Sequence, residues 1–194
     1  MKKLIFLLVA LISLIFNSRT IYATDCPPGT IQISVPIPDP NCNDAAAIVC
    51  IDCGSPTHPS STFSLVGLFD PCSDNPDLGL YLTFISDFLR NNYPDICSGT
   101  WQPCDEFGTS GSVIYFDYPQ CWTWINSTKL VPCGDARCVT CEVLCWDGNH
   151  LTQLSRTVTQ EGTPSYECKT NPWSDPPPQN GTCFHIATEC DQLK

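Results

Sequence analysis

Residues 137–160 read RCVTCEVLCWDGNHLTQLSRTVTQ, two strand-like runs on either side of a tight turn. Asp147-Gly148-Asn149 is the kind of sequence that reverses a β-hairpin, because such turns need residues that accept positive φ. Along the first run Val139, Cys141, Val143 and Cys145 share one face, while Cys138, Thr140, Glu142, Leu144 and Trp146 share the other. With cysteines on both faces, the hairpin is expected to be stapled to layers on either side.

Working outward, Ser112–Tyr118 and Cys121–Asn126 form aromatic-rich strand candidates separated by Pro119-Gln120. Thr182–Cys190 supplies a closing strand, and Trp173–Gly181 is a proline-rich connection. Before Gly108-Thr109-Ser110-Gly111 the pattern weakens. Thr30–Ile37 alternates, with Ile31, Ile33, Val35 and Ile37 on one side, as a half-buried strand does. Asn43–Val49 suits one helical turn, and Cys50–Ser61 is rich in turn residues. Tyr81, Phe84, Ile85, Phe88 and Leu89 give Asp77–Asn92 helical spacing, with Pro76 at the start and Pro94 as the expected stop, while Gly79 is a poor helix former and Tyr81–Ile85 also suits a strand. The expected fold is therefore mainly β and disulfide-rich, with an irregular N-terminal half and at most one short helix. Residues 24–107 form a cysteine-rich region and 108–194 a disulfide-stapled β region.

The first 23 residues read as a secretory signal peptide. Lys2 and Lys3 precede an apolar run of 13 residues, Leu4–Phe16, and Ala23 offers a small residue for cleavage. That run is shorter than the ~20 residues a spanning helix needs. No other stretch is apolar enough to cross a bilayer, so the expected location is secreted or cell-surface, without membrane insertion after the signal is removed.

All fifteen cysteines follow the signal: Cys26, Cys42, Cys50, Cys53, Cys72, Cys97, Cys104, Cys121, Cys133, Cys138, Cys141, Cys145, Cys168, Cys183 and Cys190. Exported thiols at this density pair with one another, whereas the same density in the cytosol would indicate metal. An odd count leaves at least one unpaired, available for another chain or simply buried. The net charge is −11, and loss of Lys2, Lys3 and Arg19 makes it more negative. Nucleic acid and anionic membrane surfaces are thereby disfavoured as partners.

Few constellations suggest chemistry. Cys133-x4-Cys138-x2-Cys141, with Cys168 beyond, resembles the ligand spacing of plant-type ferredoxins, which implies a two-iron cluster and electron transfer. Cys138 and Cys141 lie in a strand, however, and disulfides are the preferred reading, so no cofactor and no metal site are expected. Cys50-Ile51-Asp52-Cys53 has the spacing of a thiol oxidoreductase but is followed by Gly54-Ser55-Pro56 instead of a helix. His58, His150 and His185 are scattered, no nucleophile elbow or zinc-protease motif occurs, and no catalytic residue is assigned. Asp70, Asp74 and Asp77 lack the spacing of a helical-hand calcium loop. Asn126-Ser127-Thr128 and Asn180-Gly181-Thr182 match the glycosylation acceptor pattern.

Aromatics supply the candidate ligand site. Tyr115, Tyr118, Trp122 and Trp124 cluster closely, and on a strand Trp122 and Trp124 share a face that can stack on a sugar or a protein partner. The competing reading puts the same rings in the core. The expectation is a non-enzymatic extracellular structural or interaction protein, partnered by itself, another extracellular protein or a glycan.

Overall fold

The computed structural model describes residues 26–38, 45–55, 60–69, 78–105, 110–125, 129–172 and 181–193. Residues 1–25, where a signal peptide is expected, Cys42, Cys72, His58, Asp70–Asp77, Asn126 and Asn180 lie outside them. The chain is mostly β with one main helix.

The hairpin forms as the turn chemistry dictates. Strand β7 (Arg137–Trp146) pairs antiparallel with β8 (Leu151–Glu161), Arg137 opposite Glu161 and Trp146 opposite Leu151. In the turn, the Asp147 carboxylate accepts from the N–H groups of Asn149 and His150 at 2.8 and 2.9 Å. Gly148 stands at φ +101, where a side chain would be strained. The register slips at Val143/Leu144, with Leu154 as the extra residue of β8.

The other strands are β1 (Ile31–Pro36), β2 (Ala46–Asp52), β3 (Ser60–Phe69), β4 (Ser112–Pro119), β5 (Cys121–Ile125), β6 (Lys129–Pro132) and β9 (Phe184–His185). More of the N-terminal half is strand than its sequence suggested. Ala46–Asp52, read as helical turn and turn residues, is a strand between β1 and β3. Ala47, Val49, Cys50 and Ile51 are all buried there. A strand with so continuous an apolar stretch shows no alternation and is easily missed.

Strand β3 is the branch point of the sheet. One edge pairs with β2. On the other edge, Ser60–Ser64 run parallel to β4, whereas Leu68 and Phe69 run antiparallel to β6. The order along one arm is β3-β4-β7-β8 and along the other β3-β6-β5-β9. Buried Gln120 stands where β4 gives way to β5. Its N–H donates to the Ala136 carbonyl and its carbonyl accepts from Ile186, both at 3.0 Å. Strands from both sides of the 108–111 stretch thus belong to one sheet.

Helix α1 (Leu78–Cys97) connects the parallel strands β3 and β4. Tyr81, Ile85 and Leu89, at successive helical turns, are buried against the sheet. The helix does not stop before Pro94 but includes it. Proline removes one backbone bond, yet the last turn is held by the Cys53–Cys97 bridge and by Tyr93 packed on Trp101 at 4.5 Å. Ser98, at φ 49, then leaves the helical path. A short helix, α2 (Tyr166–Thr170), and a 3-10 turn (Glu189–Gln192) complete the described chain.

Six disulfides among the described residues link these layers. Cys26–Cys50 anchors the chain before β1 to β2, Cys53–Cys97 joins the residue after β2 to α1, and Cys104–Cys145 fastens the loop after α1 to β7. Cys121–Cys168, Cys133–Cys183 and Cys138–Cys190 tie the β5–β7 region to α2, to the segment before β9 and to the 3-10 turn. Cys141 is a free thiol. Both faces of β7 are therefore stapled, Cys138 on one and Cys145 on the other, while Cys141, on the face shared with Cys145, makes no bridge.

Candidate functional site

The aromatic residues singled out from sequence do not form an open platform. Trp122 is 1% and Trp124 4% exposed, both in the main core, and the Trp122 indole donates to the Pro119 carbonyl at 2.9 Å. Burial of this much aromatic surface strengthens the core, and it leaves neither ring an open face for a ligand. Tyr118 is buried on β4, and Tyr115, on the opposite face of that strand, is half-buried beside Cys141. The four residues are thus divided between the core and both faces of the sheet. Hydrogen bonding with the Cys141 thiol holds the Tyr115 phenol above its ordinary pKa.

What the structure does form is a pocket of about 360 Å³ between α1, the β4–β7–β8 arm and the 3-10 turn. Its floor comes from Phe116 and Tyr118 of β4 and Cys138, Thr140 and Glu142 of β7. Leu82, Ser86 and Arg90 of α1 form one wall, and Arg156, Thr188 and Glu189 the other. Register explains the convergence: Phe116 lies opposite Thr140, and Glu142 opposite Arg156. The covered side of β7 therefore carries Thr140 and Glu142, while Val139 and Val143 are on the half-open side. Hydrophobicity alone would favour the reverse. Both faces can be read in the sequence, but the inversion shows only once the helix is in place.

Glu142 is 1% exposed and would be costly to bury unpaired. Arg90 donates from Nε to Oε2 at 2.9 Å and from Nη2 to Oε1 at 2.8 Å, and Arg156 adds an Nε contact to Oε1 at 3.3 Å. Arg90 also bonds Asp87 at 2.7 Å, and Arg156 bonds Glu189. The Arg90 guanidinium rests 5.0 Å from the Phe116 ring centre. Burial opposes the Arg90 charge, but Glu142 and Asp87 outweigh it and raise its pKa. Tyr118 is pushed well above the ordinary phenol value, chiefly by burial, and its hydroxyl hydrogen-bonds Ser86. The Thr140 hydroxyl lines the pocket and has no hydrogen-bond partner among the described residues.

No match is found among protein-family models, curated proteins or solved structures.

The thiols of the ferredoxin-like spacing are dispersed. Cys133, Cys138 and Cys168 each bond a cysteine outside the set, and Cys141 is free. Cys50 and Cys53 bond Cys26 and Cys97 instead of each other. The sulfurs of Cys121, Cys168 and Cys183 lie within 4.8 Å of one another. They belong to two neighbouring bridges, and oxidised sulfur lacks the thiolate a metal requires. His185 pairs with Asp191 and exposed His150 with Asp147, both at 3.1 Å, and neither lines the pocket. No helix among the described residues is long and apolar enough to cross a membrane.

Proposed function

We propose that this chain is a secreted structural or interaction component of a cell surface, matrix or filament, acting without catalysis. The observation that carries this reading is the set of six bridges among the described residues, each joining segments 24 to 52 residues apart. Together they fasten β2, α1, β5 and β7 to elements remote in sequence, so the molecule resists unfolding as a whole. Each bridge contributes about 2–5 kcal/mol by restricting the unfolded chain. A disulfide-rich β domain is compatible with an extracellular setting, where such bonds persist. Support for a tryptophan-based binding surface is correspondingly weaker, since Trp122 and Trp124 are enclosed.

The test is to recover native protein from medium, surface and cell-interior fractions and to alkylate it before any reduction. Oxidised protein in the medium or surface fraction, resistant to protease until reduced, is the expected result. Reduced chain confined to the interior would overturn the proposal. So would robust enzymatic turnover by the purified oxidised protein.

A further inference from the structure

The pocket beneath α1 invites a reading of its own, separate from the scaffold role. Strand β7 devotes its helix-facing side to Thr140, 4% exposed, and Glu142, 1% exposed, where apolar residues would pack more simply. Glu142 is compensated by the two arginines, but its Oε2 accepts only one of their bonds and Thr140 offers an unengaged hydroxyl. Two arginines and two glutamates line the space, and they are already bonded to one another. A charged ligand would meet groups whose charges already balance and would lack a counter-charge of its own. A ligand that both donates and accepts without carrying charge needs none. At about 360 Å³ the pocket lies at the small end of the ~300–1,000 Å³ range of ligand sites. Leu82 and Ala187 add an apolar edge.

We propose that this pocket binds a neutral polyhydroxylated ligand, one or two sugar rings in size, with a ligand hydroxyl bonded to Thr140 and another shared between Glu142 and its arginines. Sugar hydroxyls suit such a site because each can donate to a carboxylate while accepting from a guanidinium. The long planar side chains are held in place by their mutual bonds, which spares the ordering cost of binding.

The experiment titrates the oxidised protein with a panel of neutral mono- and disaccharides, including N-acetylated hexosamines, followed by amide chemical shifts. Glutamate and lysine serve as charged comparators. Saturable binding by a neutral sugar is expected, with shifts centred on residues 138–142 and 187–192. Thr140→Val, nearly isosteric, and Ala187→Trp, at the exposed rim, are each expected to weaken binding at least ten-fold. The rim variant should keep the parent melting temperature, separating occlusion from unfolding. Absence of saturable binding across the neutral panel, shifts centred elsewhere, affinity unchanged in both variants, or binding of the charged comparators alone would each overturn the proposal. None of these outcomes bears on where the protein is found or how it is oxidised, so this proposal and the scaffold reading fail separately.

Discussion

Arg90 on α1 grips the Glu142 carboxylate on β7 through two parallel hydrogen bonds, of 2.9 and 2.8 Å. Arg156 approaches the same carboxylate from β8, so one buried acid connects the helix to both strands of the hairpin.

Removing that acid would leave two guanidinium groups facing each other across the pocket with only their outer partners, Asp87 and Glu189, as counter-charges. Glu142→Ala is expected to cost about 3–5 kcal/mol, the usual penalty for breaking a buried pair from one side. The lower end is expected because Arg90 keeps 26% of its side-chain exposure. Glu142→Gln, which retains acceptor oxygen but no charge, should lose less. Urea denaturation at neutral pH reads both, and a loss below about 1 kcal/mol for the alanine variant would contradict the stated role.

Cys138–Cys190 closes a 52-residue separation and brings the 3-10 turn over the pocket. Replacing both cysteines with serine should destabilise the chain by about 2–5 kcal/mol. Amide exchange should rise first in residues 187–193, which this bridge holds against β7. Full reduction should abolish the near-ultraviolet circular dichroism. A fully reduced protein that kept its native signal would show that the covalent links are dispensable.

Cys141, half-buried on the open side of β7, is the free thiol of the described chain. Alkylation of unreduced protein followed by peptide mapping should modify position 141. Cys141→Ser should remove that label with a stability change of about 0.5 kcal/mol or less, since no bridge is lost. Finding Cys141 quantitatively disulfide-bonded within the monomer would refute the assignment.

Tyr118 makes the fold sensitive to base. Its phenol pKa is raised in the folded chain above the ordinary 10.0, mainly because burial disfavours phenolate. The associated stability is fully present below the unfolded-state pKa and is lost as pH climbs from there toward the folded value. Alkaline unfolding should therefore coincide with a late, cooperative rise in phenolate absorbance. Tyr118→Phe should remove this component while Ser86 keeps its bond to the Leu82 carbonyl. Early, non-cooperative titration of Tyr118 would contradict its enclosure.

The parts legible from sequence were those governed by local chemistry. Asp147-Gly148-Asn149 specifies a hairpin wherever it is placed, and the spacing of Tyr81, Ile85 and Leu89 specifies a helix. Strand β2 was hidden because burial erased its alternation, and the helix end was displaced because a bridge at Cys97 holds the turn containing Pro94. Trp122 and Trp124 share a strand face as their spacing implied, but spacing could not say whether that face met solvent or core. The pocket was least legible of all. Its residues run from Leu82 to Gln192 and meet only because α1 crosses the sheet and Cys190 folds back to Cys138.

The cysteine partners have a consequence for how the molecule is made. Cys133, Cys138, Cys141 and Cys145 emerge during synthesis within a few residues of one another, yet no two of them are native partners. Oxidation in order of emergence would join near neighbours and trap the wrong connectivity. Cys121, Cys133 and Cys138 must wait for partners 47, 50 and 52 residues later. Biogenesis therefore calls for a catalyst that reshuffles bonds as well as one that forms them, and a host equipped with an oxidase alone would accumulate scrambled, protease-sensitive chain.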